Sequence, residues 1–234
     1  YLLSAPRATV DELLLVHTEK YITDFIKTSE NGGGELGQQV PFGAGGFDIA
    51  CRSAGLVIAA VDSVMRGDID NAYALSRPPG HHCLPEVPNG FCLLNNIAIA
   101  VRVAMKKKQV RRVAVIDWDV HHGNGTEAIF YGEPDVFTVS IHQDRNFPLD
   151  SGSVLDRGEG AGLGFNLNIP LPPGSGHFAY ITAMKRLIVP SIKSFKPDII
   201  IVACGFDASG VDPLSRMLCG SHTFKEMTEA VMQL

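Results

Sequence analysis

Aspartates and histidines concentrate in one short stretch, "IDWDVHHGNGT", which follows the apolar run "VAV". Asp117, Asp119 and His121 are spaced two residues apart, so an extended backbone would direct their side chains to one side. Carboxylate oxygens and imidazole nitrogens are common zinc ligands. Because buried carboxylates are costly unless something pairs with them, the spacing predicts a bound cation here.

A third ligand is available in "IIIVACGFDASGVDP", where Asp207 lies just past the end of another apolar strand. One edge of a sheet could then gather Asp119, His121 and Asp207. Three protein ligands and an open coordination position are typical of a catalytic zinc site, since structural zinc sites are closed. The alternative is a set of acidic loop residues with capping histidines. Two such clusters at matching strand ends favour the metal.

The segment "RPPGHH" presents two adjacent histidines, His81 and His82, on a loop that two prolines stiffen. Histidine titrates near neutrality, so the pair could move protons. The pair could equally supply extra metal ligands, and both interpretations stay open at this point.

Regular alternation of short apolar strands with helices predicts a parallel sheet covered on both faces. In such sheets, ligands bind at the carboxyl ends of the strands, where the polar clusters lie. Gly67 is predicted to cap a helix, and Pro190 to kink another. The predicted helices cover 9–27, 47–67, 91–108, 125–132 and 176–195, and the predicted strands cover 72–76, 112–117, 136–141, 165–171 and 198–205.

The amino-acid composition and charge of the chain exclude some classes of function. The chain has 234 residues, a net charge of −5 and one basic run, "MKKKQVRR", which we interpret as a solvated helix end and loop. We therefore expect no direct nucleic-acid binding. Five cysteines without a CxxC motif suggest a reducing, cytoplasmic location. No apolar run of membrane-spanning length and no signal peptide are seen. The chain starts without methionine and stops inside a helical pattern, so we expect part of a longer protein.

Four segments, "RPPGHH", "GFC", "DWDVHHGNGT" and "GFDASGVDP", resemble the zinc-dependent histone deacetylase superfamily. They are most similar to its class II branch and to the bacterial histone deacetylase-like amidohydrolases. The resemblance runs from "VHTEKYI" to the end of the chain, in the family's order. It implies a three-layer arginase/deacetylase-like α/β fold, with a central, mainly parallel sheet flanked by helices. It also implies that residues 1–234 form a single catalytic domain that lacks N- and C-terminal parts.

The resemblance implies roles for individual residues. Asp119, His121 and Asp207 would bind zinc, and His81 and His82 would lie beside the metal-bound water. Asp117 would orient His81. Asn124 would stand behind His82, where the class I branch carries an aspartate.

The resemblance also implies a substrate tunnel with Gly90, Phe91 and Phe147 in its wall, although core packing would otherwise be expected for the two phenylalanines. Structural potassium would bind oxygens of Asp117, Asp119, His121, Ser140 and Ile141. The family's further oxyanion donor, usually a tyrosine after the last zinc ligand, has no counterpart before Leu234.

The implied function is a zinc-dependent deacetylase, a hydrolase of linear amides that hydroxamate-type inhibitors would bind. The substrate stays open between an acyl-lysine peptide or protein, an acetylated polyamine and another small amide. A homo-oligomer is possible, and no membrane association is expected. Two rivals remain: an arginase-like enzyme with two manganese ions, which needs more aspartates, and a non-catalytic acyl-amine binding module.

Overall fold

A computed structural model describes residues 4–234 and divides the chain into two compact units, Tyr1–Val110 and Arg111–Leu234. The prediction of a single domain stays a prediction. In the described part of the chain, no helix is long and apolar enough to cross a membrane.

The first unit is mainly helical, with the elements α1 (Val10–Leu13), α2 (Glu19–Glu30), β1 (Gly33–Glu35), β2 (Pro41–Gly43), α3 (Gly46–Met65) and α4 (Asn96–Lys106). The helices α3 and α4 make the most extensive contacts within it. The glycine-rich segment after α2 forms a small antiparallel hairpin. Gly67 follows α3 with a left-handed φ of 74°, as expected for a residue that ends a helix.

Three predictions for this unit are wrong in detail. The helix predicted over 9–27 is interrupted, because Thr9 caps α1 and Thr18 caps α2 separately. The helix predicted from residue 91 begins only at Asn96, since the Asn95 side chain accepts the Ala98 N–H as a cap. Residues 72–76 form no strand, and Leu75 is exposed there.

The elements of the second unit are β3 (Val113–Asp117), α5 (Asn124–Phe130), β4 (Val136–Gln143), β5 (Asn166–Leu171), α6 (His177–Ala183), a π-helical turn (Met184–Ile188), α7 (Val189–Phe195), β6 (Ile199–Ala203) and α8 (Ser221–Val231). Its four strands form a parallel sheet with the order β5-β4-β3-β6. This confirms the predicted parallel sheet.

The sheet positions the functional residues through its buried central strands. Every residue of β3 and β4 is buried, and their apolar side chains pack with Tyr180, Ile188 and Met227 from the helices. Burying each large apolar side chain contributes about 1.5–3 kcal/mol. Asp117, the last residue of β3, lies opposite Ser140 of β4 and Ala203 of β6. The loops that follow β3 and β6 therefore start side by side on a rigid base.

Candidate metal centre

Three side chains converge where the loops after β3 and β6 begin. Ligand atoms of Asp119, His121 and Asp207 all lie within 4.8 Å of one another. His121 Nδ1 is 3.1 Å from Asp119 Oδ1 and 2.9 Å from Asp207 Oδ2. Their side chains are only 14–20% exposed. The structure thus brings together the three residues that the sequence predicted as metal ligands.

Backbone N–H groups hold the carboxylates in place. Val120 donates its N–H to Asp207 Oδ1 at 2.8 Å, which leaves Oδ2 facing His121. Asp117 is buried beneath this loop and accepts the Asp119 N–H at 3.1 Å. Asp117 is therefore a support of the ligand loop rather than a member of the ligand group.

Gly205 lies directly against Asp119, one of the candidate ligands, a relation that the sequence did not reveal. A Cβ atom at this position would sit 2.3 Å from Asp119 Oδ2 and 2.8 Å from Asp119 Cα. Both contacts are shorter than real Cβ atoms allow, and one of them is to backbone. Only glycine fits here without moving Asp119.

The electrostatics of the group favour a bound cation. Burial acts to lower the pKa of His121, but hydrogen bonds and charge from Asp119 and Asp207 outweigh it and raise the pKa to about 10. Burial, together with the nearby Asp119 carboxylate, raises the pKa of Asp207. Two carboxylates and one imidazole therefore hold either a proton or a metal ion. Because a metal ligand must be deprotonated, metal binding would release that proton. The donor set suits Zn²⁺, with coordination left for water and substrate.

His81 and His82 lie in the first unit, both buried, with ring centroids 3.9 Å apart. Side-chain amides fix the chain on each side of the pair. Asn96 donates to the Pro78 carbonyl at 3.1 Å, and Asn95 donates to the Cys83 carbonyl at 3.1 Å. Hydrogen bonds, together with the two prolines, therefore fix the loop that carries His81 and His82.

Asn95 is itself held by His17, a residue that the sequence analysis passed over. The Asn95 backbone N–H donates to His17 Nε2 at 3.0 Å, and His17 Nδ1 lies 3.2 Å from the Pro85 carbonyl. Burial lowers the pKa of His17 to about 4. His17 is therefore neutral at pH 7, which its acceptor role at Nε2 requires.

The predicted tunnel residues differ in their surroundings. Phe91 is 57% exposed and has a positive φ of 64°, next to Gly90 at 50°, so core packing is the wrong interpretation for Phe91. Phe147 presents its ring edge-on to His121, with centroids 6.1 Å apart. Its carbonyl accepts the His122 N–H at 3.1 Å. Phe147 is thus attached to the metal-ligand loop.

Asn124 is the first residue of α5, and its backbone N–H donates to the His122 carbonyl at 2.8 Å. Ser140 and Ile141 are buried in β4. Ser140 Oγ is 2.9 Å from His142 Nδ1. The potassium site that these residues would share stays a prediction.

A buried polar network around Glu127 was also missed. Glu127 lies five residues after His122, and its partners Asn166 and Asn168 alternate along the strand segment "FNLNIPL". Two asparagines two residues apart point to the same side of a strand. That alternation within an apolar strand was the one sequence feature that could have indicated the network.

Comparison with known protein families shows to which family the chain belongs. The family description "Histone deacetylase domain" matches residues 1–234, the whole sequence. The chain belongs to the histone deacetylase family. Its resemblance to that family, inferred from four motifs, is thereby confirmed.

Individual relatives agree with this assignment. The chain is 54% identical over 228 residues to a "Histone deacetylase-like amidohydrolase" of Pseudomonas aeruginosa, a match that covers 97% of this chain and 60% of the relative. It is 38% identical over 226 residues to a "Probable deacetylase" of Archaeoglobus fulgidus, covering 97% and 62%. The chain thus spans about 60% of the length of these curated relatives.

A solved structure supports the fold. "Crystal Structure of HDA15 HD domain" is similar to this chain with a TM-score of 0.94 and 32% sequence identity, covering 99% of this chain and 68% of that one. The predicted arginase/deacetylase-like α/β fold of the histone deacetylase family is confirmed.

Proposed function

We propose that the protein is a zinc-dependent amidohydrolase that removes an acetyl or other acyl group from a lysine side chain or a similar primary amine. The observation that carries this proposal is the Asp119–His121–Asp207 group, a three-ligand set with room for water and substrate. The names of the relatives, an amidohydrolase and a probable deacetylase, support the same reaction class.

In this proposal, the bound zinc ion and the residues around it have separate tasks. Bound zinc would polarise the amide carbonyl and lower the pKa of the attacking water. His81 and His82 would accept the proton of that water and protonate the leaving amine. Asp117 would orient His81, while Asn124 would support His82 as a neutral partner.

Three further parts of the proposal concern the substrate and a second cation. Gly90, Phe91 and Phe147 would line the channel for the acyl-lysine chain. Potassium would stabilise the loop around Asp117 and Ser140. An acetylated polyamine is the alternative substrate.

The number of metal ions separates this proposal from its nearest rival. An arginase-like site with two manganese ions needs additional carboxylates around the pair. Among residues 4–234, Asp119, His121 and Asp207 are the only group of three possible ligand side chains that lie this close together. This favours a single ion. A non-catalytic acyl-amine binding module would keep the ligands but would show no turnover.

A ligand substitution tests the metal centre. Asp207→Asn should remove zinc and abolish hydrolysis while the fold is kept, because Asp207 lies in a loop. Asp212→Asn is the matched control, since this partly exposed carboxylate lies outside the ligand group and accepts the Leu214 N–H. Metal content by mass spectrometry and hydrolysis of acetyl-lysine and acetylpolyamine substrates are the measurements. Stoichiometric zinc in Asp207→Asn would show that the ligand set is wrong.

A further inference from the structure

A single carboxylate oxygen on a largely buried side chain collects three N–H donors in the second unit. Oε2 of Glu127, on α5, accepts from Asn168 Nδ2 at 2.6 Å, from Asn166 Nδ2 at 2.7 Å and from His122 Nε2 at 3.1 Å. The Glu127 side chain is only 14% exposed. One side chain therefore joins α5, strand β5 and the residue after His121.

Each of the three donors also reaches the loop between β4 and β5. Asn166 donates its second amide hydrogen to the Asp156 carbonyl at 2.7 Å, and Asn168 donates to the Ser153 carbonyl at 3.3 Å. His122 Nδ1 lies 2.9 Å from the Ser151 hydroxyl. Glu127 thus fixes the side chains that hold this loop at three successive points.

The same loop carries Phe147 beside the metal centre. The Phe147 carbonyl accepts the His122 N–H, and the Phe147 ring faces His121. Ser151 continues the connection, because its hydroxyl donates to the Pro148 carbonyl at 3.2 Å. A change at Glu127 would reach Phe147 through His122 and Ser151, whereas the Glu127 hydrogen bonds described above go to His122, Asn166 and Asn168 and not to the three candidate ligands.

The charge of Glu127 suits this task. Burial acts to raise its pKa, but hydrogen bonds from His122, Asn168 and Asn166 and the charge of His122 outweigh it, so the pKa lies below its usual value. An ionised carboxylate accepts hydrogen bonds more strongly than a neutral amide does.

We propose that Glu127 is a positioning residue that holds the 147–156 loop, and with it Phe147, in the place that sets substrate affinity. This inference rests on the proposed function, because it concerns the same site. Phe147 would contact the chain of the substrate rather than the reacting carbonyl. Loss of positioning should therefore weaken substrate binding more than it slows the chemical step.

Glu127→Gln tests the inference in the full-length, zinc-loaded protein. The variant keeps the shape but replaces the charged acceptor by a neutral amide. We expect the KM for an acetyl-lysine peptide to rise about tenfold and kcat to change less than about threefold. Zinc content should be unchanged, and hydrogen exchange in 147–156 should become faster. Glu159→Gln, an exposed carboxylate of the same loop, is the control and should change none of these.

A second variant covers the case in which Glu127→Gln does not fold. Asn168→Ala removes only one of the three hydrogen bonds to Glu127. It should raise the KM and speed up hydrogen exchange in 147–156, each by a smaller factor than Glu127→Gln does. Unchanged KM and unchanged exchange in a folded variant would overturn the inference. So would a parallel loss of kcat and zinc, since Glu127 would then act on the metal ligands. An inactive wild-type protein would instead refute the proposed function, while the exchange measurement would still test the loop.

Discussion

Gly205→Ala is the substitution whose effect follows most directly from the geometry of the metal centre. The new Cβ would lie 2.3 Å from Asp119 Oδ2, whereas ordinary contacts begin at 3.4 Å, so the carboxylate must move by about 1 Å. Rotation of the Asp119 side chain cannot remove the whole clash, because Asp119 Cα is only 2.8 Å away. Metal–ligand distances tolerate only about 0.2 Å.

Gly205→Ala should therefore lower the affinity for zinc strongly and the free energy of unfolding moderately. We expect the zinc dissociation constant to rise about ten- to a hundredfold, as for the loss of a group that orients a ligand. Overpacking should lower the free energy of unfolding by about 1–3 kcal/mol. Zinc affinity is measured by competition with a chromophoric chelator, after circular dichroism has shown that the variant is folded.

Gly210→Ala in the same loop is the control. A Cβ at Gly210 would meet its nearest neighbours at 3.6–3.7 Å, an ordinary contact. Zinc affinity should therefore match that of the wild type. If folded Gly205→Ala binds zinc as tightly as Gly210→Ala, Asp119 is not held in the position that the structure shows, or it is not a ligand.

Two further predictions concern histidines of the first unit. His81→Ala and His82→Ala should each slow hydrolysis about a hundred- to ten-thousandfold with zinc retained; normal turnover in both would remove their acid–base role, and loss of zinc would make them ligands. His17 has a folded pKa of about 4 against an ordinary value of 6.5, so the unfolded chain binds more protons between these values. The free energy of unfolding should therefore fall by about 3 kcal/mol as pH drops from about 6.5 to about 4. Denaturant titrations across this range should show a flatter profile for His17→Leu, and an equally steep one would contradict the assignment.

That Asp119, His121 and Asp207 lie close together could be predicted from the sequence, because their positions obey a local rule. Apolar runs of strand length end directly before Asp117 and shortly before Asp207, and parallel strands place such ends at one edge of a sheet. No detailed knowledge of packing was needed. The same rule gave the parallel sheet itself.

Helix boundaries in the first unit were harder to predict from the sequence, because capping residues can end or start a helix where the hydrophobic periodicity continues. The apolar pattern over 9–27 continues through Thr18, yet the Thr18 hydroxyl accepts the Tyr21 N–H and starts a new helix. Residues 72–76 have strand-like composition, but a strand requires a partner. Pairing is a tertiary property that periodicity does not contain.

The network around Glu127 depends on register. Asn166 lies opposite Thr138, and Asn168 lies opposite Ser140, in the parallel pairing of β5 with β4. A slip of one residue would turn both asparagines to the other face of the sheet. The sequence shows that these polar residues exist, but only the paired strands show which carboxylate they meet.

The π-helical turn at Met184–Ile188 is a place where the helical stretch from α6 to α7 holds one extra residue. A π-helical hydrogen bond joins residues five apart and an α-helical bond joins residues four apart, so the turn takes up one residue more than a regular helix would. Met184 and Ile188, the two ends of the turn, and Ile192 of α7 are all buried. Deleting the exposed Lys185 would therefore restore α-helical geometry and keep the Ile192 side of α7 toward the sheet. Deleting a residue within α7 would instead rotate everything after the gap by about 100°. In the divergence of such sequences, we therefore expect loss of one residue to be accepted inside the turn and to be resisted in α7.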